Sequence, residues 1–193
     1  MSVMSIAVFI SGRGTNLQAL IDAKARGKLT VSIDVVVSNN PAAPGLEWAR
    51  AAGIDVVIVD HRLSDSREHF DQALLDAIAP YNVDYIILAG FMRRLTPLFV
   101  AAYQGKIVNI HPSLLPKYKG LNTFRRAIKN KEKLSGCSVH YVNKKLDSGK
   151  VILQKKVIIS KNDTESSLKK KIQKEEYRAY SEAIRKVFSN TSS

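Results

Sequence analysis

Short apolar runs alternate with amphipathic segments through the first half of the chain. Apolar runs without alternation are typical of strands buried on both faces of a parallel sheet. In the segments between them, apolar residues recur at spacings of three and four, as at Leu17, Leu20 and Ile21, and glycine or proline follows as a stop signal. The pattern predicts strands at 6–10, 31–37, 56–59, 84–88 and 106–110, and helices at 16–25, 46–52 and 66–79.

The hydrophobic pattern changes after about residue 112. Residues 138–142 alternate with period two, as does part of 151–159, which predicts antiparallel strands at one end of the sheet. Residues 164–188 predict a long helix, which Thr164 can cap. Its predicted buried stripe consists of Leu168, Ile172, Tyr180, Ile184 and Val187.

Strands that alternate with helices imply right-handed crossovers and a mostly parallel sheet with helices on both faces. We therefore predict an α/β fold, a Rossmann-like three-layer sandwich with antiparallel additions in the C-terminal half. We expect a single domain over residues 1–188, followed by a disordered tail at 189–193.

The composition is ordinary for a globular protein, with 193 residues, 45% hydrophobic and 24% charged. Cys137 is the only cysteine, which excludes an intramolecular disulfide and, with four histidines, disfavours a structural zinc site. No apolar run approaches the roughly 20 residues of a membrane helix, and the N-terminus lacks the segments of a signal peptide. We expect a cytoplasmic protein that contacts no membrane.

Charge is distributed unevenly along the chain. Residues 1–100 carry 9 Lys/Arg and 10 Asp/Glu, a net charge of −1, whereas residues 101–193 carry 21 and 7, a net charge of +14. Such an excess suits solvated helix faces, small anionic ligands or nucleic acid. Because the basic residues are not interleaved with aromatic ones, as they are in RNA-binding surfaces, we expect no nucleic-acid partner.

A glycine-rich segment at 11–16 follows the first predicted strand and opens the first helix. Glycines let the backbone approach a phosphate, and a helix N-terminus supplies N–H groups and positive partial charge. Leu17 stands where the dinucleotide pattern needs a third glycine, and no acidic residue ends the second strand. The segment therefore predicts a phosphate-binding loop without a dinucleotide; a plain tight turn is the alternative.

A second polar group ends the fifth predicted strand. Asn109 and His111 lie two residues apart and so share a face of an extended segment. A histidine there can serve as a general acid, and an amide can donate to a developing oxyanion. Further along the chain, Asp147 lies in a loop, and a carboxylate beside His111 would stabilise its charged imidazolium. His140 fits a structural role equally well.

Four segments together resemble the phosphoribosylglycinamide formyltransferase family, the folate-dependent formyltransferases of purine synthesis. The resemblance extends over about residues 5–187. The Asn109-Ile-His pair with Asp147 is typical of the wider folate formyl-transfer superfamily, and Gly14-Thr-Asn of the glycinamide ribonucleotide branch. The matching segments are 10–18, 88–93, 109–116 and 146–149.

The resemblance implies a role for each matching position. Asn109, His111 and Asp147 would be the catalytic residues, with His140 and Ser138 as supporting residues beside them. The nucleotide substrate would be bound by Gly14, Thr15, Asn16, Gln173 and Glu176. The folate would be bound by Arg67, Met92, Arg93, Arg94, Leu95, Asn109, Asn143, Lys144, Lys145, Leu146 and Asp147.

The implied reaction is attack of the glycinamide amine on the formyl carbon of 10-formyltetrahydrofolate, the co-substrate, through a tetrahedral intermediate. Asn109 and protonated His111 would stabilise its oxygen, and His111 would protonate the departing nitrogen. No metal is implied, and Cys137 is expected to serve packing. The chain departs from the family pattern at Arg94, Asn122, Phe124 and Ser181.

Three other functions compete with this one. Methionyl-tRNA formyltransferase would suit the basic charge but carries a further C-terminal domain, and formyltetrahydrofolate hydrolase carries a preceding regulatory domain; neither is expected here. A nucleotide-binding module without catalysis is the alternative from another class, and the combination of Asn109, His111 and Asp147 argues against it. We expect small-molecule substrates and a monomer or homodimer.

Overall fold

Strands and helices alternate along the chain in a computed structural model, which describes residues 3–189. The strands are β1 (Met4–Ile10), β2 (Val31–Ser38), β3 (Asp55–Ile58), β4 (Tyr85–Leu88), β5 (Ile107–His111), β6 (Leu134–Tyr141) and β7 (Val151–Ile158). The helices are α1 (Thr15–Ala25), α2 (Leu46–Ala51), α3 (Arg67–Ile78), α4 (Pro97–Ala102), α5 (Thr123–Lys129) and α6 (Glu165–Ser189).

The strands form one sheet in the order β3-β2-β1-β4-β5-β6-β7. β1 pairs in parallel with β2 and β4, and β2 pairs in parallel with β3, whereas β6 and β7 are antiparallel. The predicted α/β class, with a mostly parallel sheet and antiparallel additions in the C-terminal half, is confirmed. The described residues form two compact units that divide between Val108 and Asn109, within β5.

The core of the first unit is built around β1, whose residues 6–10 are fully buried. Burial on both faces explains why this strand reads as a continuous apolar run and not as an alternating one. Leu17 and Leu20 of α1 and Leu74 of α3 are also fully buried. The carboxyl ends of β1, β3 and β4 lead into the segments where the sequence places candidate binding residues.

The second unit consists of the antiparallel pair β6–β7, with α6 packed against both strands. The predicted apolar stripe of α6 is buried, with each of its five residues at most 4% exposed. α6 continues through Ser189, one residue beyond its predicted end. The predicted tail beyond that point, residues 190–193, lies outside the described residues.

Two short helices, α4 and α5, were not predicted. α4 starts with a recognisable signal, because the Thr96 side chain caps it and Pro97 occupies its first position. α5 lacks such a signal: Asn122 precedes it in a left-handed conformation, with φ of 58°, and no side chain caps it. Both helices are too short to show a helical period in the sequence.

Candidate active site

The predicted catalytic residues lie together in the second unit. Asn109 and His111 are at the end of β5, and Asp147 is in the loop between β6 and β7. His111 Nδ1 lies 3.4 Å from Asp147 Oδ2, and both side chains are only 8% exposed. The Gly120 N–H group donates to the same carboxylate oxygen at 2.8 Å. The β6–β7 loop therefore brings a fixed, nearly buried carboxylate to the histidine.

Both ring nitrogens of His111 face hydrogen-bond acceptors. Nε2 lies 2.9 Å from the carbonyl oxygen of Tyr118, which can only accept, so Nε2 carries a proton. Nδ1 faces the Asp147 carboxylate, which is also an acceptor. Both ring nitrogens of His111 are therefore held by contacts within the second unit.

His140 lies on the other side of the Asp147 carboxylate, in β6. It is 2% exposed, and its Nε2 lies 3.7 Å from Asp147 Oδ1. Burial lowers the pKa of His140; the Tyr141 carbonyl and Asp147 oppose this shift, and the charge of His111 adds to it. Burial therefore favours the neutral form of His140.

The neutral state of His140 fixes the orientation of the Asn109 amide. His140 Nδ1 donates to the Tyr141 carbonyl at 2.8 Å, which leaves Nε2 as an acceptor. Asn109 Nδ2 lies 3.2 Å from this Nε2 and donates to it. One N–H of the Asn109 amide is thus engaged, and the other is left for a second acceptor.

The chain segment after His111 is held by two polar side chains from β6 and β7. Ser138, fully buried, donates through Oγ to the Ser113 carbonyl at 2.6 Å and accepts from the Leu115 N–H group at 2.9 Å. Gln154 Nε2 donates to the Leu115 carbonyl at 2.9 Å and to Ser138 Oγ at 2.8 Å. Gln154 was missed by sequence reasoning; the only signal was one amide within a predicted strand.

In the first unit, the glycine loop has the conformation that a phosphate loop needs. Gly14 precedes α1 with φ of 65°, and α1 has neither a side-chain cap nor an acidic residue in its first turn. A helix start of this kind leaves its first N–H groups available to an anion. Asn16 Oδ1 is buried without a hydrogen-bond partner in the structure, which suits a ligand that donates to it.

Gly45, the residue before α2, packs against this loop and was not predicted from the sequence. Its N–H group donates to the Gly12 carbonyl at 2.9 Å. A Cβ on Gly45 would lie 2.8 Å from both Gly12 O and Gly14 Cα, so no larger residue fits. A lone glycine before a predicted helix gave no reason to connect it with a loop about thirty residues earlier.

Two of the predicted folate residues of the first unit, Arg67 and Arg94, contact each other, and Met92 contacts the glycine loop. Arg67 donates from its guanidinium to the Arg94 carbonyl at 2.8 Å, and the Met92 N–H group donates to Ser11 Oγ at 2.7 Å. Met92 is 69% exposed, whereas Leu95 is 9% exposed. Arg94, a departure from the family pattern, is exposed and makes this contact through its backbone, which any residue could supply.

The remaining predicted binding residues lie in the second unit. Gln173 and Glu176 are three apart on α6 and so share a face; Glu176 is 8% exposed. Residues 143–146 form an exposed turn, in which Asn143 Oδ1 accepts from the Lys145 N–H group at 2.9 Å. The other departures lie at the start of α5 (Asn122 and Phe124) and within α6 (Ser181).

Cys137 is fully buried in β6, and this burial raises the pKa of its thiol to about 12. A thiol with such a pKa does not form the reactive thiolate near neutral pH. Within residues 3–189, no three His, Cys, Asp or Glu side chains are grouped so that they could hold a metal ion. Over the same described range, none of the helices is both long and apolar enough to cross a bilayer.

Comparison with known proteins identifies the family. Residues 4–184 match the formyl transferase family model. The chain is 47% identical over 177 residues to phosphoribosylglycinamide formyltransferase of Escherichia coli (strain K12), covering 92% of this chain and 84% of that one. It is 40% identical over 186 residues to the trifunctional purine biosynthetic protein adenosine-3 of Homo sapiens, covering 96% of this chain but 18% of that protein.

Solved structures agree with this result. The crystal structure of glycinamide ribonucleotide transformylase 1 from Symbiobacterium toebii superimposes with a TM-score of 0.92 and 43% identity, covering 95% of this chain and 86% of that one. Phosphoribosylglycinamide formyltransferase from Coxiella burnetii gives a TM-score of 0.91 and 44% identity over the same shares of the two chains. On the sequence match and the shared fold, the chain belongs to the formyl transferase family.

Proposed function

We propose that this chain transfers the formyl group of 10-formyltetrahydrofolate to the amine of N1-(5-phospho-D-ribosyl)glycinamide, a step of de novo purine biosynthesis. Relatives that the chain matches over most of their length carry this function in their names. The observation that supports it in the structure is His111 beside the Asp147 carboxylate, with the Asn109 amide two residues earlier on the same strand.

Acyl transfer to an amine needs three things from the protein: a donor for the developing oxyanion, an acid for the leaving nitrogen and a fixed geometry. Asn109 supplies the first through the amide N–H that His140 does not use. His111 supplies the second: its Nε2 proton, which is donated to the Tyr118 carbonyl in this structure, passes to the departing folate nitrogen. Asp147 holds the His111 ring. It also takes up, through water, the proton that the attacking amine loses, so that one proton enters the folate nitrogen and one leaves the amine.

The binding residues fall into two groups, one for the nucleotide and one for the folate. Gly14, Thr15 and Asn16 bind the phosphate group through the start of α1, and Gln173 and Glu176 bind the ribose and glycinamide end. The folate is bound by Arg67, by residues 92–95 and by residues 143–147. We propose that the chain acts on these small molecules in the cytoplasm, as a monomer or homodimer and without nucleic acid.

The test is a formyl-transfer assay that follows folate absorbance with and without the nucleotide. We expect turnover only when the nucleotide is present, and a loss in kcat of about 10²–10⁴-fold in His111→Ala, the range for removal of a general acid. His69→Ala is the matched control, because His69 is exposed on α3, and its kcat should equal that of the wild type.

Other outcomes would assign another function. Turnover without the nucleotide would identify a formyltetrahydrofolate hydrolase. No turnover under either condition, in a protein that still binds the nucleotide, would identify a binding module. A His111→Ala variant with undiminished kcat would contradict the role of this histidine.

A further inference from the structure

Trp48, the only tryptophan of the chain, donates a hydrogen bond to the proposed phosphate-binding loop at residues 11–16. It lies in α2, and its indole Nε1–H donates to the Arg13 carbonyl at 3.2 Å. Trp48 is 41% exposed, so burial of the ring alone does not explain why it lies against the loop. No motif or pattern in the sequence pointed to this contact.

The hydrogen bond from Trp48 is one of three that hold successive carbonyl groups of the loop. Three successive carbonyls of the loop are each engaged: Gly12 O accepts from the Gly45 N–H at 2.9 Å, Arg13 O from Trp48, and Gly14 O from the Gln18 N–H at 2.8 Å. The first two donors come from the start of α2, and the third comes from α1. Trp48 is the only one of the three donors that is a side chain.

These carbonyl contacts determine where the loop N–H groups point. A trans peptide is planar, so its N–H points opposite to its C=O. When Trp48 holds the Arg13 carbonyl, it therefore turns the Gly14 N–H to the side away from the indole. Gly14 has φ of 65° and precedes the helix start that is open to an anion.

We propose that Trp48 is a positioning residue for nucleotide binding: its indole N–H fixes the peptide plane between Arg13 and Gly14 and so presents the Gly14 N–H to the phosphate group. This inference rests on the proposed function, in which the same loop binds the phosphate of the substrate. The inference adds Trp48, a side chain outside the loop, to the groups that determine the affinity for the nucleotide.

The surroundings of Trp48 allow the hydrogen bond to be tested apart from packing. Together with Gln18 and Ile21 of α1, the ring borders an open cavity of about 500 Å³. A change of the ring therefore leaves the fully buried core of this unit untouched. Trp48→Phe removes the donor and keeps an aromatic ring. Benzothienylalanine, in which sulfur replaces the indole N–H, keeps the shape as well and can be incorporated selectively because the chain has one tryptophan.

The experiment measures kcat, both KM values, and the nucleotide dissociation constant by calorimetry. We expect both replacements to weaken nucleotide binding and raise its KM by roughly 3- to 10-fold, the range for loss of one hydrogen bond between neutral groups. The kcat and the KM for 10-formyltetrahydrofolate should change by less than about twofold. Ile21→Val, which removes one methyl group from the same cavity, is the control and should leave all four quantities unchanged.

Three results would overturn the inference. Unchanged nucleotide affinity in both replacements would show that the indole N–H does not position the loop. An effect of Trp48→Phe that benzothienylalanine does not reproduce would assign the effect to ring shape. Failure of the wild type to bind the nucleotide by calorimetry would overturn the proposed function itself, and the inference with it.

Discussion

Two histidines flank the Asp147 carboxylate, and their hydrogen-bond surroundings differ. His111 has an acceptor at each ring nitrogen, whereas His140 is buried, donates from Nδ1 and accepts at Nε2. In the proposed mechanism, His111 donates the proton that is transferred, and His140 orients Asn109. Neither histidine could do the work of the other in its present place.

The lowered pKa of His140 predicts a loss of stability in mild acid. Because the pKa is lower in the folded than in the unfolded chain, the unfolded chain binds more protons as the pH falls below about 6.5. The free energy of unfolding should therefore fall between about pH 7.5 and about pH 5.5, and it should fall less in His140→Gln. Urea denaturation of both proteins at the two pH values measures this; equal losses in both would contradict it.

The spacing of Asn109 and His111 already predicted that they share one face of a strand. Asp147 was a candidate from its place in a loop, and the resemblance to a family motif gave it a catalytic role. What could not be predicted were the partners that hold these residues. The resemblance names Ser138 as a supporting residue but not its contact with Leu115, and it names neither the Tyr118 carbonyl nor Gln154. Gln154 reaches the Leu115 carbonyl from a segment far away in the sequence. Hydrogen-bond partners of this kind do not produce a recurring residue spacing, so a single sequence does not reveal them.

The loop between β6 and β7 is the element that places Asp147. Asp147 itself has a positive φ of 43°, which few non-glycine residues adopt. Two residues later the loop passes so close to β6 that a Cβ on Gly149 would overlap the Tyr141 carbonyl oxygen. That carbonyl is also the acceptor for His140 Nδ1. The loop, Asp147 and His140 are therefore linked through one peptide group.

Gly149→Ala should disturb both stability and catalysis. The added methyl group must push the loop away from β6, which we expect to cost about 1–3 kcal/mol and to lower kcat as Asp147 moves from His111. Thermal unfolding and the transfer assay measure the two effects.

Gly12→Ala is the control for stability, because a Cβ at Gly12 meets no atom within 4 Å. Its melting temperature should stay close to that of the wild type. Equal melting temperatures for Gly149→Ala and the wild type would show that the loop yields without cost and would contradict the link between Gly149 and Asp147.

Elements with a long hydrophobic pattern were predicted well, and so were the short β3, β4 and α2, whereas α4 and α5 were not. The continuous apolar run of β1, the shorter run at residues 35–37 of β2 and the stripe of α6 identify these elements, because burial leaves its pattern in the sequence. β6, by contrast, begins at Leu134 and not at Ser138. Gly136 interrupts the hydrophobic pattern in the first half of β6. This glycine packs so closely against β7 that a Cβ on it would overlap the Lys155 carbonyl.

At the scale of the whole molecule, the positive charge of residues 101–193 is the feature that the catalytic residues leave unexplained. A net charge of +13 attracts any polyanion at low salt without making it a partner. We predict that a single-stranded RNA binds weakly and loses at least about tenfold in affinity between about 50 mM and about 200 mM salt. Fluorescence anisotropy with labelled RNA tests this; tight binding at the higher salt would show a genuine nucleic-acid site.

The destination of the formyl group tests the central claim most directly. The protein is incubated with 10-formyltetrahydrofolate labelled with carbon-13 in the formyl group, together with the glycinamide nucleotide, and the products are analysed by mass spectrometry. We predict that the label appears in the N-formyl nucleotide and that His111→Ala forms this product far more slowly. Label released as formate, with the nucleotide unchanged, would contradict it.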